Sequence, residues 1–170
     1  MKHHAKFTPS ILAAIEPLLP KSGAILDPFA GTGRIHELRD ENRHTIGVEI
    51  EPEWAAMHPD TFVGNALDLC WDDATFDAIV TSPTYGNRMA DHHEAKDSSR
   101  RMTYRHTLGR PLSEDNSGSL QWSDKYRYFH YDAWCEAIRV LVPGGLFVLN
   151  IADHVRKGEV QRVALWHWST

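Results

Sequence analysis

Two acidic residues, Asp27 and Glu49, each end an apolar run, GAILD and HTIGVEI, and the first run leads straight into a glycine loop, PFAGTG. Gly31 and Gly33 in that loop can bring the main chain close to a ligand where a helix starts. An acid ending the next strand stands where such folds take the hydroxyls of a ribose. The loop lacks the third glycine of GxGxxG, and no GK[ST] follows it. A ligand with a ribose but no phosphate therefore suits it better than a dinucleotide or a nucleoside triphosphate. A third stretch, TSPTYGNR at 81–88, follows another apolar run, FDAIVTS. It falls at the carboxyl edge of a parallel sheet, where open α/β folds bind their ligands.

Strands and helices must hold these residues, and the sequence predicts them in alternation. Thr8-Pro9 with Ile11, Leu12, Ile15 and Leu18 reads as a capped amphipathic helix that Pro17 ends or kinks. A short helix follows from Arg34 with Ile35 and Leu38 inward, and Pro52 opens another. GAILD, HTIGVEI (44–50), TFVGN (61–65), FDAIVTS (76–82) and LFVLNI (146–151) read as five strands. Trp134, Ile138 and Leu141 form a helical stripe, Pro143-Gly144-Gly145 turns the chain, and a last helix covers 158–168 with Val160, Val163 and Ala164 on one side. Apolar strands alternating with helices indicate a Rossmann-like, doubly wound, mostly parallel sheet covered on both faces.

From Phe7 to Ile151 the chain resembles the class I S-adenosylmethionine-dependent methyltransferases, specifically the DNA amino-methyltransferases of adenine N6 or cytosine N4. ILDPFAGTG looks like that family's first motif, and the resemblance implies that Asp27, Phe29, Gly31 and Gly33 hold the methionine part of the cofactor. Glu49 matches the acid that takes both ribose hydroxyls, and Ile50 would lie against the adenine. VGNALDL resembles the third motif, with Asn65 accepting from the adenine amino group, Ala66 offering its backbone and Asp68 as a second acceptor. S-adenosylmethionine is the implied cofactor.

SPTY at 82–85 resembles the family's catalytic [DNS]PP[YFW] motif in its SPPY form. An exocyclic amine on a base is a poor nucleophile because its lone pair is delocalised into the ring. Ser82 Oγ and the Pro83 carbonyl would accept its two N–H groups and favour a tetrahedral nitrogen as positive charge develops. Tyr85 would stack on a base taken out of its duplex. Position 84 departs from the motif: Thr84 replaces the second proline, leaves φ free and restores an N–H, so the loop loses preorganisation.

Residues 85–130 lack sustained periodicity and read as an inserted, substrate-facing loop region within a single domain spanning 1–170. They carry eight basic residues against six acidic, whereas the rest of the chain carries ten against seventeen. Arg88, Arg100, Arg101 and Arg105, with Tyr104, Trp122, Tyr126, Tyr128 and Phe129 interleaved, suit phosphates and stacked bases, so DNA is the expected partner and RNA the alternative. His92-His93 beside Asp91 and Glu94 do not make a metal site, because adjacent residues rarely ligate one ion.

With 170 residues, 42% hydrophobic and 24% charged, the composition fits one ordinary globular domain and excludes disorder or a fibre. A net charge of -5 excludes binding to nucleic acid by bulk charge, though not by a local basic face. Cys70 and Cys135 lack a CxxC spacing, which excludes a disulfide scaffold and a zinc ribbon. No run approaches the roughly 20 apolar residues of a membrane span, and the reading is a cytoplasmic protein. The family's sheet ends in two further strands that this sequence lacks, so its fifth strand is an apolar edge for a second copy or another chain to cover. A minimal enzyme, a fragment and an inactive cofactor- or DNA-binding remnant all accord with that shortness, and an RNA guanine N2-methyltransferase is the competing activity.

Overall fold

The computed structural model describes residues 7–86 and 104–170. Thr8 caps helix α1 (Pro9–Ile15) by accepting from the Ile11 amide, with Pro9 in the first turn. A 3-10 turn containing Pro17 ends it. Strands β1 (Gly23–Asp27), β2 (Arg43–Glu49) and β3 (Thr61–Val63) follow, with the four-residue helix α2 (Pro52–Ala55) between the last two. Strand β4 (Phe76–Thr81) begins the second half, which continues through α3 (Tyr104–Leu108), α4 (Asp124–Val140), β5 (Leu141–Leu149), β6 (His154–Arg156), β7 (Glu159–Gln161) and α5 (Val163–Ser169).

Five strands form one parallel sheet in the order β3-β2-β1-β4-β5. The chain moves outward from β1 to β3, then returns to β1's other side for β4, so the strand order reverses between β1 and β4. At such a switch point the loops leave the carboxyl edge in opposite directions and open a crevice. Asp27 and Thr81, the last residues of these two strands, flank it.

Successive strand residues face opposite sides, and the core divides accordingly. Leu26, Val48, Phe76 and Ile79 pack with Ala133, Trp134, Ala137 and Val140 of α4 on one face. Ile25, Ala78 and Val80 pack with Leu12 and Ile15 of α1 and with Ile35 and Leu38 on the other.

Several boundaries differ from the sequence reading. The predicted helix after the glycine loop is a 3-10 helix, Arg34–Leu38, although Ile35 and Leu38 do face inward. On α4 the buried stripe is Tyr126, His130, Ala133, Trp134, Ala137 and Val140, so Trp134 faces inward as expected; Ile138 is exposed, and Leu141 already opens β5, which runs on through the Pro143-Gly144-Gly145 stretch expected to turn the chain. Histidine and alanine carry half of that stripe, which hid it from a search for large apolar residues. Helix α4 also begins inside the stretch read as an irregular 85–130 loop. The predicted last helix is shorter, because residues 154–161 form a hairpin. Lys157 and Gly158 both have positive φ, 52° and 81°, as a tight two-residue hairpin turn requires, and Val160 is exposed on a strand. The hairpin pairs with itself and adds nothing to the main sheet, so β5, like β3 at the other side, is an edge of the sheet among the described residues.

Candidate cofactor cleft and catalytic loop

A narrow cleft, partly open to solvent, lies at the carboxyl ends of β1, β2 and β4. Asp27, Phe29, Gly31, Glu49, Ile50, Asn65, Ala66 and Ser82 all line it. Asp27 is buried; its Oδ1 accepts from the Thr81 hydroxyl at 2.6 Å and from the Phe29 amide at 3.0 Å. Glu49 is also buried and accepts from the Gly31 amide at 2.8 Å and the Glu51 amide at 2.9 Å, one on each oxygen. Burial outweighs these bonds and pushes both carboxyls up to about 7. Each carboxylate oxygen has two acceptor sites, so Glu49 keeps one free on each oxygen. Asp27 Oδ2 has no donor among the described residues. Two desolvated acids with spare acceptor capacity suit a ligand that brings hydroxyls and positive charge.

The opposite wall comes from residues 110–117. Glu51 is fully buried, and its carboxylate accepts from Arg110 Nη2 at 2.7 Å, from the Ser113 amide and hydroxyl at 2.8 and 3.1 Å, and from Asn116 Nδ2 at 2.8 Å. Arg110 also pairs with Glu53. This clamp sets Asp115, Asn116 and Ser117 along the cleft, and Asp115 Oδ2 accepts from Asn65 Nδ2 at 2.9 Å. Asn65 Oδ1 meanwhile takes the Leu67 amide, so its side chain is engaged at both ends.

The loop after β4 is held at every residue from 82 to 86 except Pro83. Ser82 Oγ and Tyr85 Oη lie 3.0 Å apart, and Asn150 Nδ2 donates to both, at 3.1 and 3.3 Å. Thr84 Oγ1 donates to Ser117 Oγ at 2.8 Å, and the Thr84 carbonyl accepts from Tyr126 Oη at 2.6 Å. The Gly86 carbonyl accepts from the Trp122 amide at 2.8 Å. Gly86 has φ of 68°, and a Cβ there would stand 2.9 Å from the Trp122 nitrogen, so only glycine fits this approach. At Thr84, where the motif's second proline ring is missing, the side chain and the carbonyl are both bonded to following segments.

Ser82 and Thr84 face the cleft, whereas Pro83 and Tyr85 do not line it. Gly33 lies away from the cleft as well, in the turn before the 3-10 helix, packed against His36, His58 and Thr61. Of the predicted basic residues, Arg105 is exposed on α3, while Arg88, Arg100 and Arg101 lie outside the described residues, as do His92 and His93. Tyr104 and Tyr126, expected on a stacking surface, are buried instead: Tyr104 packs edge-on to Trp54, and Tyr126 packs among His130 and His167. Tyr128 is exposed as expected. No group of His, Cys, Asp and Glu suited to a metal occurs among the described residues.

Sequence reasoning missed Glu51, Asp115, Asn116, Thr81 and Asn150. Glu51 sits two residues from Glu49 in an acidic stretch that reads as solvated surface. Asn150 carries one faint signal, its position at the end of the last apolar run.

No family model and no curated sequence matches the chain. Solved structures do. The PH0226 protein from Pyrococcus horikoshii superposes with a TM-score of 0.55 at 19% identity, over 85% of this chain and 57% of that one. A SAM-dependent methyltransferase from Methanosarcina mazei gives 0.52 at 18%, with the same coverage of 85% and 57%. The fold is that of the class I methyltransferases. The [4+2]-cyclase SpnF also matches, with a TM-score of 0.50 at 17% identity over 82% of this chain and 43% of its own. Fold alone therefore does not name the reaction, which must be argued from the site. The chain spans about half the length of the solved structures it matches. No helix among the described residues is long and apolar enough to cross a membrane.

Proposed function

We propose that this chain is a S-adenosylmethionine-dependent methyltransferase domain acting on an exocyclic amino group of a DNA base, cytosine N4 or adenine N6. One observation carries the reading: Ser82, the first residue of the SPTY motif, lines the same cleft as Asp27 and Glu49. The cofactor supplies a methyl group activated on a sulfonium. The residues present fit it. Glu49 has free acceptor sites for two ribose hydroxyls, Ile50 offers an apolar face beside it, and Asp27 Oδ2 can take an ammonium. Arg34, the one cationic side chain lining the cleft among the described residues, is already paired with Glu37 at 2.8 Å.

The chain's own chemistry lies in the amine site. Asn150 donates into Ser82 Oγ, so the serine keeps one acceptor site when its own proton points to Tyr85 Oη. That site accepts an amine proton, drawing the nitrogen lone pair out of conjugation. The acceptor gains strength as the nitrogen becomes cationic, which favours the transition state over the ground state.

Radiolabelled methyl transfer to a panel of single- and double-stranded DNA and RNA tests the reading. DNA should be labelled, and Ser82→Ala should lower turnover by about 10- to 100-fold, with cofactor affinity unchanged. Labelling of RNA alone, or of no nucleic acid despite bound cofactor, would overturn it.

A further inference from the structure

We propose that His167, acting through Tyr126, is a positioning residue that fixes the loop bearing Ser82; this rests on the methyltransferase reading for its consequence and on hydrogen-bond geometry alone for its existence. Three side chains form a continuous line from the core to the loop. Trp134 Nε1 lies 3.0 Å from His167 Nδ1, His167 Nε2 lies 2.9 Å from Tyr126 Oη, and Tyr126 Oη lies 2.6 Å from the Thr84 carbonyl.

The direction of every bond in this line is determined by its ends. An indole N–H only donates, so His167 Nδ1 must be the acceptor and carry no proton. A carbonyl oxygen only accepts, so the Tyr126 proton must point to Thr84. The remaining contact then needs its proton from His167 Nε2. The line runs Trp134 to His167 to Tyr126 to Thr84, with one proton at each junction, and it admits one state of the ring: neutral, protonated at Nε2. An imidazolium would set an N–H against the indole N–H. Burial also favours the neutral ring, holding it down to about 4.

All three side chains are buried, His167 at 8% exposure, Trp134 at 6% and Tyr126 at 0%. Water cannot substitute for a lost bond, so each link is worth more than it would be at the surface. The line ends on the residue where the motif lacks its second proline. A proline would have restricted φ covalently; here a buried tyrosine hydroxyl holds the peptide, and helix α5 holds the tyrosine. Trp122 reinforces the arrangement. Its amide grips the next carbonyl but one, at Gly86, and its ring packs 5.3 Å from that of Tyr126.

Ring nitrogen NMR on the unmodified chain reads the first part directly. His167 should be the neutral Nε2–H tautomer throughout pH 6–8. The Nδ1–H tautomer, or a ring that titrates within that window, would overturn the proposal. Tyr126→Phe keeps the ring and removes only the hydroxyl. Hydrogen exchange at the Trp122 amide should then speed up by about tenfold as the Gly86 carbonyl loosens. Turnover should fall by a similar factor, with the cofactor KM within twofold of the original. Unchanged exchange in this variant would overturn the positioning role. Should the unmodified chain transfer no methyl group, the functional reading fails, while the tautomer and the exchange rate still decide this inference.

Discussion

Glu49→Gln separates the stability of the fold from the affinity of the cleft. In the unfolded chain the Glu49 proton leaves near 4.5, whereas in the folded protein burial keeps it bound up to about 7. Between those values the folded state binds more protons than the unfolded, so stability falls as pH rises and levels off above about 7. A rise from 4.5 to about 7 corresponds to about 3 kcal/mol. Asp27, raised from 3.8 to about 7, adds a fall of the same sign and similar size. Glutamine cannot titrate, so the variant should lose the Glu49 share and keep that of Asp27. An amide also has a single oxygen, so either the Gly31 or the Glu51 amide loses its acceptor, at a cost of about 1–3 kcal/mol at every pH. The variant should therefore be the less stable protein near pH 5 and nearly equal to the original near pH 8. Urea denaturation at both pH values measures this. Titration calorimetry with S-adenosylmethionine near pH 8 should show affinity reduced by about 10- to 100-fold, because an ionised acceptor for the ribose is gone. A pH dependence of stability equal to that of the original protein would refute the desolvation argument. Undiminished affinity would refute the role of Glu49 in the cleft.

Glu51→Ala removes an acceptor with four donors, leaves part of the Arg110 charge and the Asn116 amide without partners, and should cost about 3 kcal/mol. Urea melts check this, and a loss below 1 kcal/mol would mean that residues 110–117 are held by other contacts. Thr84→Pro surrenders the bond to Ser117, though the Thr84 amide donates to nothing among the described residues. It should lower stability by about 1 kcal/mol and leave methyl transfer within about threefold. A large rise in transfer would show that the loop is underconstrained despite its side-chain ties.

The sequence by itself determined the sheet and, to within about two residues, the carboxyl ends of its strands. Apolar runs of strand length, separated by a glycine loop, a proline-opened helix and short turns, admit few arrangements. The chemistry-bearing residues Asp27, Glu49 and Ser82 fall at strand ends, where a parallel sheet gathers them on one edge whatever the helices do. Local patterns sufficed there because strand direction and period are local properties. Tertiary structure decided everything that depends on contacts between distant segments. The clamp of Glu51 on residues 110–116 joins positions about sixty apart in the chain, and a carboxylate gives no sign in its own neighbourhood whether it will face water or four donors. Asn150 reaches Ser82 only because β5 pairs with β4 in one particular register. Tyr126, which composition assigned to a stacking surface, is instead a buried donor to the Thr84 carbonyl, because the period of α4 turns it inward and α5 closes over it. A tyrosine is apolar over most of its area and polar at one atom. Its side of the helix, not its type, decided which of the two it would serve.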